Sequence, residues 1–233
     1  MRTVAIMQPY FLPYIGYFQL MAAVERFVVF DDVNYINRGW INRNRLLLNG
    51  QAHTFTVPLR GASQNKLICD IELADDDDWR DKLLRTVRQA YVKAPCYADV
   101  SVLMERIIRH PVRRLDEFLL NSLREIAGYL ELPTEIVGSS RTYGNAQLRG
   151  QERILDICRQ EGAQRYINAI GGEALYERAR FNEQGVELKF LRSRPLSYAQ
   201  GGSEFVPWLS ILDVLMFNPR PEARRLLGEM DLT

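Results

Sequence analysis

Two short apolar runs near the start of the chain flank a stretch in which apolar residues recur at helical spacing. Residues 2–8 (RTVAIMQ) and 26–32 (RFVVFDD) are rich in β-branched and other apolar residues, which is typical of buried strands. Between them, apolar side chains recur every three or four positions at Tyr14, Ile15, Phe18, Met21, Ala22 and Val24. The pattern predicts a βαβ unit with a proline-rich turn after the first strand.

The following segments predict a hairpin and then a helical section. Asn49-Gly50 lies between two strand-like runs in residues 46–59, and this dipeptide strongly favours a two-residue hairpin turn. Two apolar stripes at helical spacing follow, at Leu83, Leu84, Val87, Ala90 and Tyr91 and at Leu115, Phe118, Leu119, Leu123, Ile126, Ala127 and Leu130. Residues 75–132 are therefore predicted to be helical and could form a subdomain.

Strand and helix patterns alternate again after residue 133. Strand-like runs at 134–140, 164–172 and 186–191 are separated by predicted helices at Gln151–Glu161 and Glu173–Arg180. This alternation favours a mainly parallel sheet with flanking helices. We therefore predict a single α/β, Rossmann-like domain over residues 1–233, with a β-hairpin insertion and a helical section in its middle.

Composition and charge exclude several classes of protein. The chain has 233 residues, 47% of them hydrophobic and 25% charged, as in an ordinary globular domain. Its 30 basic and 29 acidic side chains leave a charge of +1, which gives no overall attraction to DNA or to anionic membranes. Three widely spaced cysteines and two histidines argue against a disulfide framework and a zinc site. We predict a cytoplasmic protein with no membrane span, and its oligomeric state stays open.

Polar or glycine residues follow four of the predicted strands. In open α/β sheets, ligands bind beyond the carboxyl ends of parallel strands, where loops and helix N-termini supply polar groups. The residues at these positions are Gln8, Asp31, Asp32, Ser139, Ser140, Arg141, Asn168, Gly171 and Gly172. The sequence therefore predicts a ligand site at one edge of the sheet.

Some of these residues allow more than one interpretation. Asp31 and Asp32 could act as a general base or hold a divalent ion, or they could simply end a strand in solvent. Gly171 and Gly172 could let a phosphate approach the backbone, or they could form a turn that needs positive φ.

Charged segments elsewhere predict an anion site and a helix cap. Residues 38–45 (RGWINRNR) carry arginines that can bind phosphate and asparagines that can orient a sugar, although an exposed hairpin strand would look the same. The four aspartates at 75–78 precede a predicted helix and are expected to cap it. The basic run at 106–114 (RIIRHPVRR) is predicted to be solvated surface.

The C-terminal segment places Tyr198 and Gln200 before an apolar helix. Asp213 is the one charged residue in that helix, so it needs a hydrogen-bonding partner or an exposed position. We predict a structural, partnered carboxylate, with contact to a ligand as the alternative.

A set of motifs that spans most of the chain resembles the WbqC-like family. The motifs are MQPYFLPYIGYFQL, FDDVNY, WINRNR, TVPL, YVKAPCY, SS, CRQEGAQRYINAIGG and a C-terminal YAQ followed by PWLSILDVLM. The resemblance implies a bacterial protein of gene sets for O-antigen, lipopolysaccharide and other surface glycans. It also implies transfer of glycine or a related aminoacyl group.

A second resemblance covers only four residues. YIGY at the start of the first helix is similar to the HxGH element of the nucleotidylyltransferase and pantothenate-synthetase superfamily, with Tyr14 and Tyr17 in place of the histidines around Gly16. In that superfamily the histidines stabilise phosphates. Tyrosines supply no positive charge, so phosphate chemistry here needs Arg43, Arg45 or Arg141.

Three functions follow as hypotheses. The first is a transferase that forms an amide on an amino sugar of a nucleotide-linked glycan precursor, with acyl-CoA, aminoacyl-tRNA or an ATP-derived adenylate as donor. The second is an ATP-dependent ligase or nucleotidylyltransferase. The third is a non-catalytic protein that binds a sugar nucleotide or a partner.

The transferase hypothesis assigns a role to each candidate residue. Asp31, Asp32 and Tyr17 are the predicted catalytic residues. The predicted substrate-binding residues are Gln8, Tyr10, Tyr14, Gly16, Asn42, Arg43, Asn44, Ser139, Ser140, Arg141, Asn168, Gly171, Gly172, Tyr176, Tyr198 and Gln200. No metal ligand is predicted.

Overall fold

A computed structural model of the chain describes residues 1–76, 78–202 and 204–233. The strands are β1 Thr3–Met7, β2 Arg26–Val29, β3 Arg43–Leu48, β4 Gln51–Thr56, β5 Leu59–Arg60, β6 Glu72–Leu73, β7 Glu135–Val137, β8 Arg165–Ala169, β9 Glu187–Ser193 and β10 Met230–Leu232. The helices are α1 Ile15–Ala22, α2 Asp78–Tyr91, α3 Tyr97–Ile108, α4 Leu115–Tyr129, α5 Gly150–Glu161, α6 Arg178–Glu183, α7 Ile211–Phe217 and α8 Arg220–Leu226.

The central sheet has six strands in the order β10-β9-β8-β1-β2-β7. All neighbours in it are parallel except β10, which pairs with β9 in the antiparallel direction. The predicted α/β fold with a mainly parallel, Rossmann-like sheet is therefore confirmed. Because β8, β1, β2 and β7 are adjacent and parallel, their carboxyl ends lie at the same edge of the sheet.

The two faces of the sheet are covered by different elements, because successive side chains of a strand point to opposite faces. Val4 and Ile6 of β1 belong to an apolar cluster that includes residues of α5 and α6. Ala5 belongs to a second, larger cluster with residues of α1, α2, α3, α4 and α7. The sheet is thus the middle layer of the fold.

The predicted βαβ unit and hairpin are both confirmed. Helix α1 connects β1 to β2, and β1 and β2 pair in parallel. Strands β3 and β4 pair around Asn49 and Gly50, whose φ angles are 52° and 76°. Two consecutive positive φ angles are what a type I′ hairpin turn requires, and Asn-Gly adopts them readily.

One aspartate of the acidic segment before α2 caps the helix, as predicted. The backbone N–H of Asp78, the first residue of α2, donates to Oδ1 of Asp76 at 2.9 Å. Asp76 thereby satisfies an N–H group that has no partner inside the helix. Asp77 lies outside the described residues.

Two predictions are wrong, one about a helix and one about a surface segment. A 3-10 helix at Ile170–Leu175 and then α6 replace the predicted helix at Glu173–Arg180. Adjacent glycines disfavour a regular α-helix there, and the later start lets Phe181 reach the core. Residues 106–114 are also not all surface, since Ile107 and Ile108 at the end of α3 are fully buried.

None of the helices in the described ranges combines the length and hydropathy that crossing a bilayer requires.

Candidate functional site

The first group of predicted site residues lies where β2 and β7 end. The carboxylate of Asp31 accepts hydrogen bonds from Oγ of Ser139 at 2.8 and 2.9 Å and from the backbone N–H of Ser140 at 3.1 Å. The guanidinium of Arg141 lies 3.2 Å from the same carboxylate. Burial raises the pKa of Asp31, although these donors and Arg141 oppose the shift. This carboxylate therefore connects the ends of two strands.

Asp32 is held by a buried arginine. Its carboxylate lies 2.5 Å from Nη2 of Arg153 and accepts a hydrogen bond from Oγ of Ser140. The side chain of Arg153, from α5, is only 3% exposed, and its Nε donates to Asn145 at 3.0 Å. Sequence reasoning missed Arg153. A charged residue beside Ile154 on the buried face of a predicted helix was the signal, because a buried charge requires a partner.

Tyr17 lies in the core beneath the proline-rich turn, where it contacts the half-buried Gln8. The hydroxyl of Tyr17 donates to the backbone carbonyl of Gln8 at 2.9 Å, and the tyrosine is nearly fully buried. The ring centres of Tyr10 and Tyr17 are 5.7 Å apart. Burial raises the pKa of both tyrosines, so both hydroxyls stay protonated at neutral pH.

Tyr14 is the N-cap residue of α1, and its ring lies back against the first turn of that helix. A Cβ atom on Gly16 would lie only 2.3 to 2.5 Å from the nearest ring atoms and hydroxyl of Tyr14. The glycine is therefore required for this position of the ring. On its outer side the ring faces Trp208, with 6.0 Å between the two ring centres.

A cavity of about 290 Å³ opens beside Tyr14, and we call it the aromatic cleft. Arg45 is the cation that lines it. Its guanidinium carbon lies 5.5 Å from the ring centre of Trp40, and its Nη2 donates to the carbonyl of Trp208 at 2.9 Å. The residues that line the aromatic cleft are Tyr10, Pro13, Tyr14, Trp40, Asn44, Arg45 and Trp208.

The two tryptophans were absent from the predicted site set, and the sequence named Arg45 only beside Arg43 and Arg141 as a possible source of positive charge. Trp40 is 43% exposed and Trp208 is 64% exposed, which is unusual for such large apolar side chains. Arg43, which was predicted, donates through Nε to the carbonyl of Gly39 at 2.9 Å and does not line the cleft. Strand alternation places Arg43 and Arg45 on the same side of β3, but only Arg45 lines the cleft.

Asn42 and Asn44 hold the loops around the cleft. The Nδ2 group of Asn44 donates to the carbonyl of Leu12 at 2.9 Å, and the hydroxyl of Ser210 donates to the same carbonyl at 2.8 Å. Leu12 has a φ of 45°, which is uncommon for a leucine. Asn42 accepts a hydrogen bond from the Tyr35 hydroxyl at 2.8 Å. Both asparagines are buried, so they stabilise the backbone that carries the cleft.

Tyr198 and Gln200 converge on Asp213. This fully buried carboxylate accepts hydrogen bonds from the hydroxyls of Tyr91 at 2.9 Å and Tyr198 at 2.7 Å and from Nε2 of Gln200 at 2.8 Å. The prediction of a partnered Asp213 is confirmed. Burial raises its pKa, and the three donors oppose the shift.

The predicted residues after β8 form a separate group. A Cβ atom on Gly172 would lie 3.0 Å from Nδ2 of Asn168, so this glycine allows a close approach. Neither Gly171 nor Gly172 has a positive φ, and the interpretation as a positive-φ turn is wrong. Tyr176 packs edge-on against Tyr166, with 5.7 Å between ring centres. This group does not line the aromatic cleft.

Comparisons with known proteins give one family. The model of the WbqC-like protein family matches residues 8–225. The chain is similar to the uncharacterized protein Rv1507c of Mycobacterium tuberculosis, with 30% identity over 226 residues that cover 96% of each chain. No solved structure matches the chain significantly.

Proposed function

Since the chain belongs to the WbqC-like protein family, we propose that it is a transferase that forms an amide on an amino sugar of a nucleotide-linked surface-glycan precursor. The acyl or aminoacyl group comes from a donor with an activated carboxyl. The observation that supports this proposal is the aromatic cleft, whose lining combines Tyr14, Trp40 and Trp208 with the guanidinium of Arg45.

The cleft has the chemistry that a sugar nucleotide requires. Aromatic rings provide flat apolar faces for a base or a sugar ring, and such stacking contributes about 1–3 kcal/mol per base. A guanidinium carries five N–H donors, and Arg45 uses one of them on the carbonyl of Trp208. Its Nε is buried, and the remaining N–H groups of the two Nη atoms suit a diphosphate. A volume of about 290 Å³ holds one part of such a ligand, and the remainder extends along the open rim.

The proposed reaction depends on orientation. A sugar amine with a pKa near that of an α-amino group, about 8, is partly unprotonated at neutral pH. It attacks the activated carbonyl carbon, the C–N bond forms, and the leaving group departs. A general base must come within about 3 Å of the proton that it takes. Asp31 and Asp32 are buried and fully engaged, so in this proposal they position the ends of β2 and β7.

Calorimetric titration with UDP-glucosamine and dTDP-4-amino-4,6-dideoxyglucose tests the binding step. We expect the wild type to bind at least one of them and Trp208→Ala and Arg45→Ala to lose at least tenfold in affinity. Leu175→Ala and Arg159→Ala are matched controls, because each of these side chains is 71% exposed and away from the cleft. Equal affinities in all five proteins would refute the assignment of the cleft.

Turnover is tested by mass spectrometry of the sugar nucleotide after incubation with acyl-CoA, with aminoacyl-tRNA, or with an amino acid and ATP. Amide formation adds the mass of the acyl group and removes a proton from the amine. Pyrophosphate release in the ATP reaction would identify an adenylate donor. If the sugar nucleotide binds but no donor gives a product, the transferase hypothesis is contradicted. A non-catalytic binding protein is then favoured.

A further inference from the structure

A second cavity, which we call the apolar pocket, lies on the other side of Tyr14 and Trp208. Its volume is about 570 Å³. It is formed by the end of β9, the loop after it and the start of α7, and its apolar lining includes Ile15, Leu196, Phe205, Pro207, Leu209 and Val214. Tyr14 and Trp208 line both cavities, so a ligand in one lies next to a ligand in the other.

The lining of the apolar pocket includes two exposed arginines, Arg192 and Arg194. Arg192 of β9 lines the pocket and forms no salt bridge within the described ranges. Its cross-strand neighbour is Asp231, whose carboxylate lies 2.5 Å from Arg194. Arg192 helps to lower the pKa of Asp231, yet its N–H donors are left for a ligand. An apolar cavity with a guanidinium at its mouth is complementary to a molecule with an apolar chain and an anionic end.

The wall of the pocket is held in one position. Gln200 bonds both to Asp213 and to the backbone of Val206, with its Oε1 accepting from the Val206 N–H at 2.7 Å and its Nε2 donating to the Val206 carbonyl at 2.9 Å. The ring of Tyr198 contacts Phe205 edge-on, with 5.1 Å between ring centres. The pocket is thus shaped before any ligand binds, which lowers the entropic cost of binding.

We propose that the apolar pocket holds the acyl chain of a thioester donor and that Arg192 binds a phosphate of its thiol carrier. This inference rests on the proposed function and specifies its donor. The amine nitrogen of the sugar attacks the thioester carbonyl, the C–N bond forms and the C–S bond breaks. The amine proton leaves with the thiol, so the products are an amide and a free thiol, and no oxidant or reductant is needed.

The lining favours an apolar acyl chain over a glycyl group. A glycyl group would leave most of a 570 Å³ pocket unfilled and would place a charged ammonium against apolar side chains. When a straight chain of several methylenes binds in the pocket instead, its apolar surface and that of the lining side chains are both removed from water. Each buried methylene contributes about 0.8 kcal/mol, which corresponds to about a fourfold gain in affinity.

Calorimetry with CoA and its straight-chain thioesters of two, four, six and eight carbons tests the proposal. We expect affinity to rise about fourfold per methylene until the pocket is full. Leu196→Trp, at a half-buried lining position, should abolish this chain-length dependence and leave sugar-nucleotide affinity unchanged. Arg192→Ala should weaken CoA and all thioesters by the same factor, whereas Arg159→Ala should bind them like the wild type.

A second measurement does not depend on how Leu196→Trp folds. The thioester of 8-bromo-octanoic acid should quench the fluorescence of Trp208 in the wild type, and Trp208→Phe should lose most of this quenching. A flat chain-length dependence, or quenching that Trp208→Phe retains, overturns the acyl site. If uridine competes with octanoyl-CoA, and Leu196→Trp abolishes this competition, the apolar pocket is a site for a nucleobase. That result would also overturn the acyl site.

The two proposals fail in distinguishable ways. Amide formation from an acetyl or glycyl donor with no chain-length dependence would leave the transferase standing and remove the acyl site. Steep chain-length dependence without sugar-nucleotide binding would keep the acyl site and remove the transferase.

Discussion

Individual buried charges in this protein are stabilised by specific partners. Asp32 and Arg153 are both almost fully buried, and they meet at 2.5 Å. Removing two charges from water costs several kcal/mol per ion, and their attraction offsets this only when hydrogen bonds complete the pair. Ser140 and Asn145 supply those bonds. The arrangement is stable only while both partners are present.

Asp32→Asn should lower the free energy of unfolding by about 3–5 kcal/mol, because it leaves the buried guanidinium of Arg153 without a counter-charge. The free energy of unfolding is measured by urea denaturation. The slope of this free energy against urea concentration is compared between the proteins. Glu152→Gln is the control, since Glu152 pairs with Arg180 at the surface and such pairs contribute little.

A double variant separates the pair from other effects at the same position. Asp32→Asn with Arg153→Met should recover part of the lost stability, because no buried charge is then left unpaired. If Asp32→Asn were no less stable than Glu152→Gln, the buried pair would not carry the stability assigned to it.

At the scale of secondary structure, the start of α1 determines the shape of the aromatic cleft. Tyr14 immediately precedes the helix, and its ring lies over Gly16. The preceding loop is held through the Leu12 carbonyl by Asn44 of β3 and by Ser210, the N-cap of α7. Three elements thus fix one tyrosine ring, which separates the two cavities.

Gly16→Ala should displace the Tyr14 ring, because the new methyl group would lie within 2.5 Å of its atoms. We expect at least a tenfold loss of sugar-nucleotide affinity by calorimetry. The fold should survive, since alanine favours a helix over glycine by about 1 kcal/mol. Gly128→Ala in α4 is the control because nothing lies near its Cβ position. Unchanged affinity in Gly16→Ala would mean that the ring position is unimportant.

At the scale of the whole molecule, Asp213 connects distant parts of the chain. Its carboxylate binds Tyr91 of α2 and both Tyr198 and Gln200 of the loop after β9. The same Tyr91 hydroxyl accepts a hydrogen bond from the backbone of Leu47 in β3 at 2.9 Å. The helical section, the hairpin and the pocket wall therefore meet at one ionisable group.

This group should make stability depend on pH. Burial raises the pKa of Asp213 in the folded protein above its unfolded value of about 3.9. At pH values between these two pKa values, the folded state binds more protons than the unfolded state. The contribution of Asp213 to the free energy of unfolding is therefore largest below the unfolded pKa and falls as the pH rises through the folded pKa.

Urea denaturation between about pH 2 and about pH 7 checks the sign, because the Asp213 effect lies above the unfolded pKa and the Asp231 effect below it. The stability advantage of the wild type over Asp213→Asn should shrink as the pH rises. Asp231→Asn should show the opposite trend, because the pair with Arg194 lowers the pKa of Asp231. Parallel trends in the two variants would contradict this role of Asp213.

Much of the fold could be predicted because its elements have strong local patterns. The runs of β1 and β2, the stripe of α1 and the Asn49-Gly50 turn each depend on neighbours in the sequence. Helix α3 lies within residues 75–132, which were predicted to be helical, but it was not identified as a separate helix. Its own apolar stripe comprises Val100, Leu103, Met104, Ile107 and Ile108. Strand β10 was missed because its three residues have no pattern of their own and pair only with β9.

The sequence by itself determined the α/β layering, the family and the meeting of Asp31, Asp32, Ser139, Ser140 and Arg141, since parallel strands bring their carboxyl ends together. Only the tertiary structure decided that these carboxylates are buried and partnered, because partners such as Arg153 come from distant elements. It alone brought Trp208 to Tyr14 and Arg45 to form two cavities. Contacts between segments far apart in the chain leave no local periodicity, so no sequence pattern predicts them.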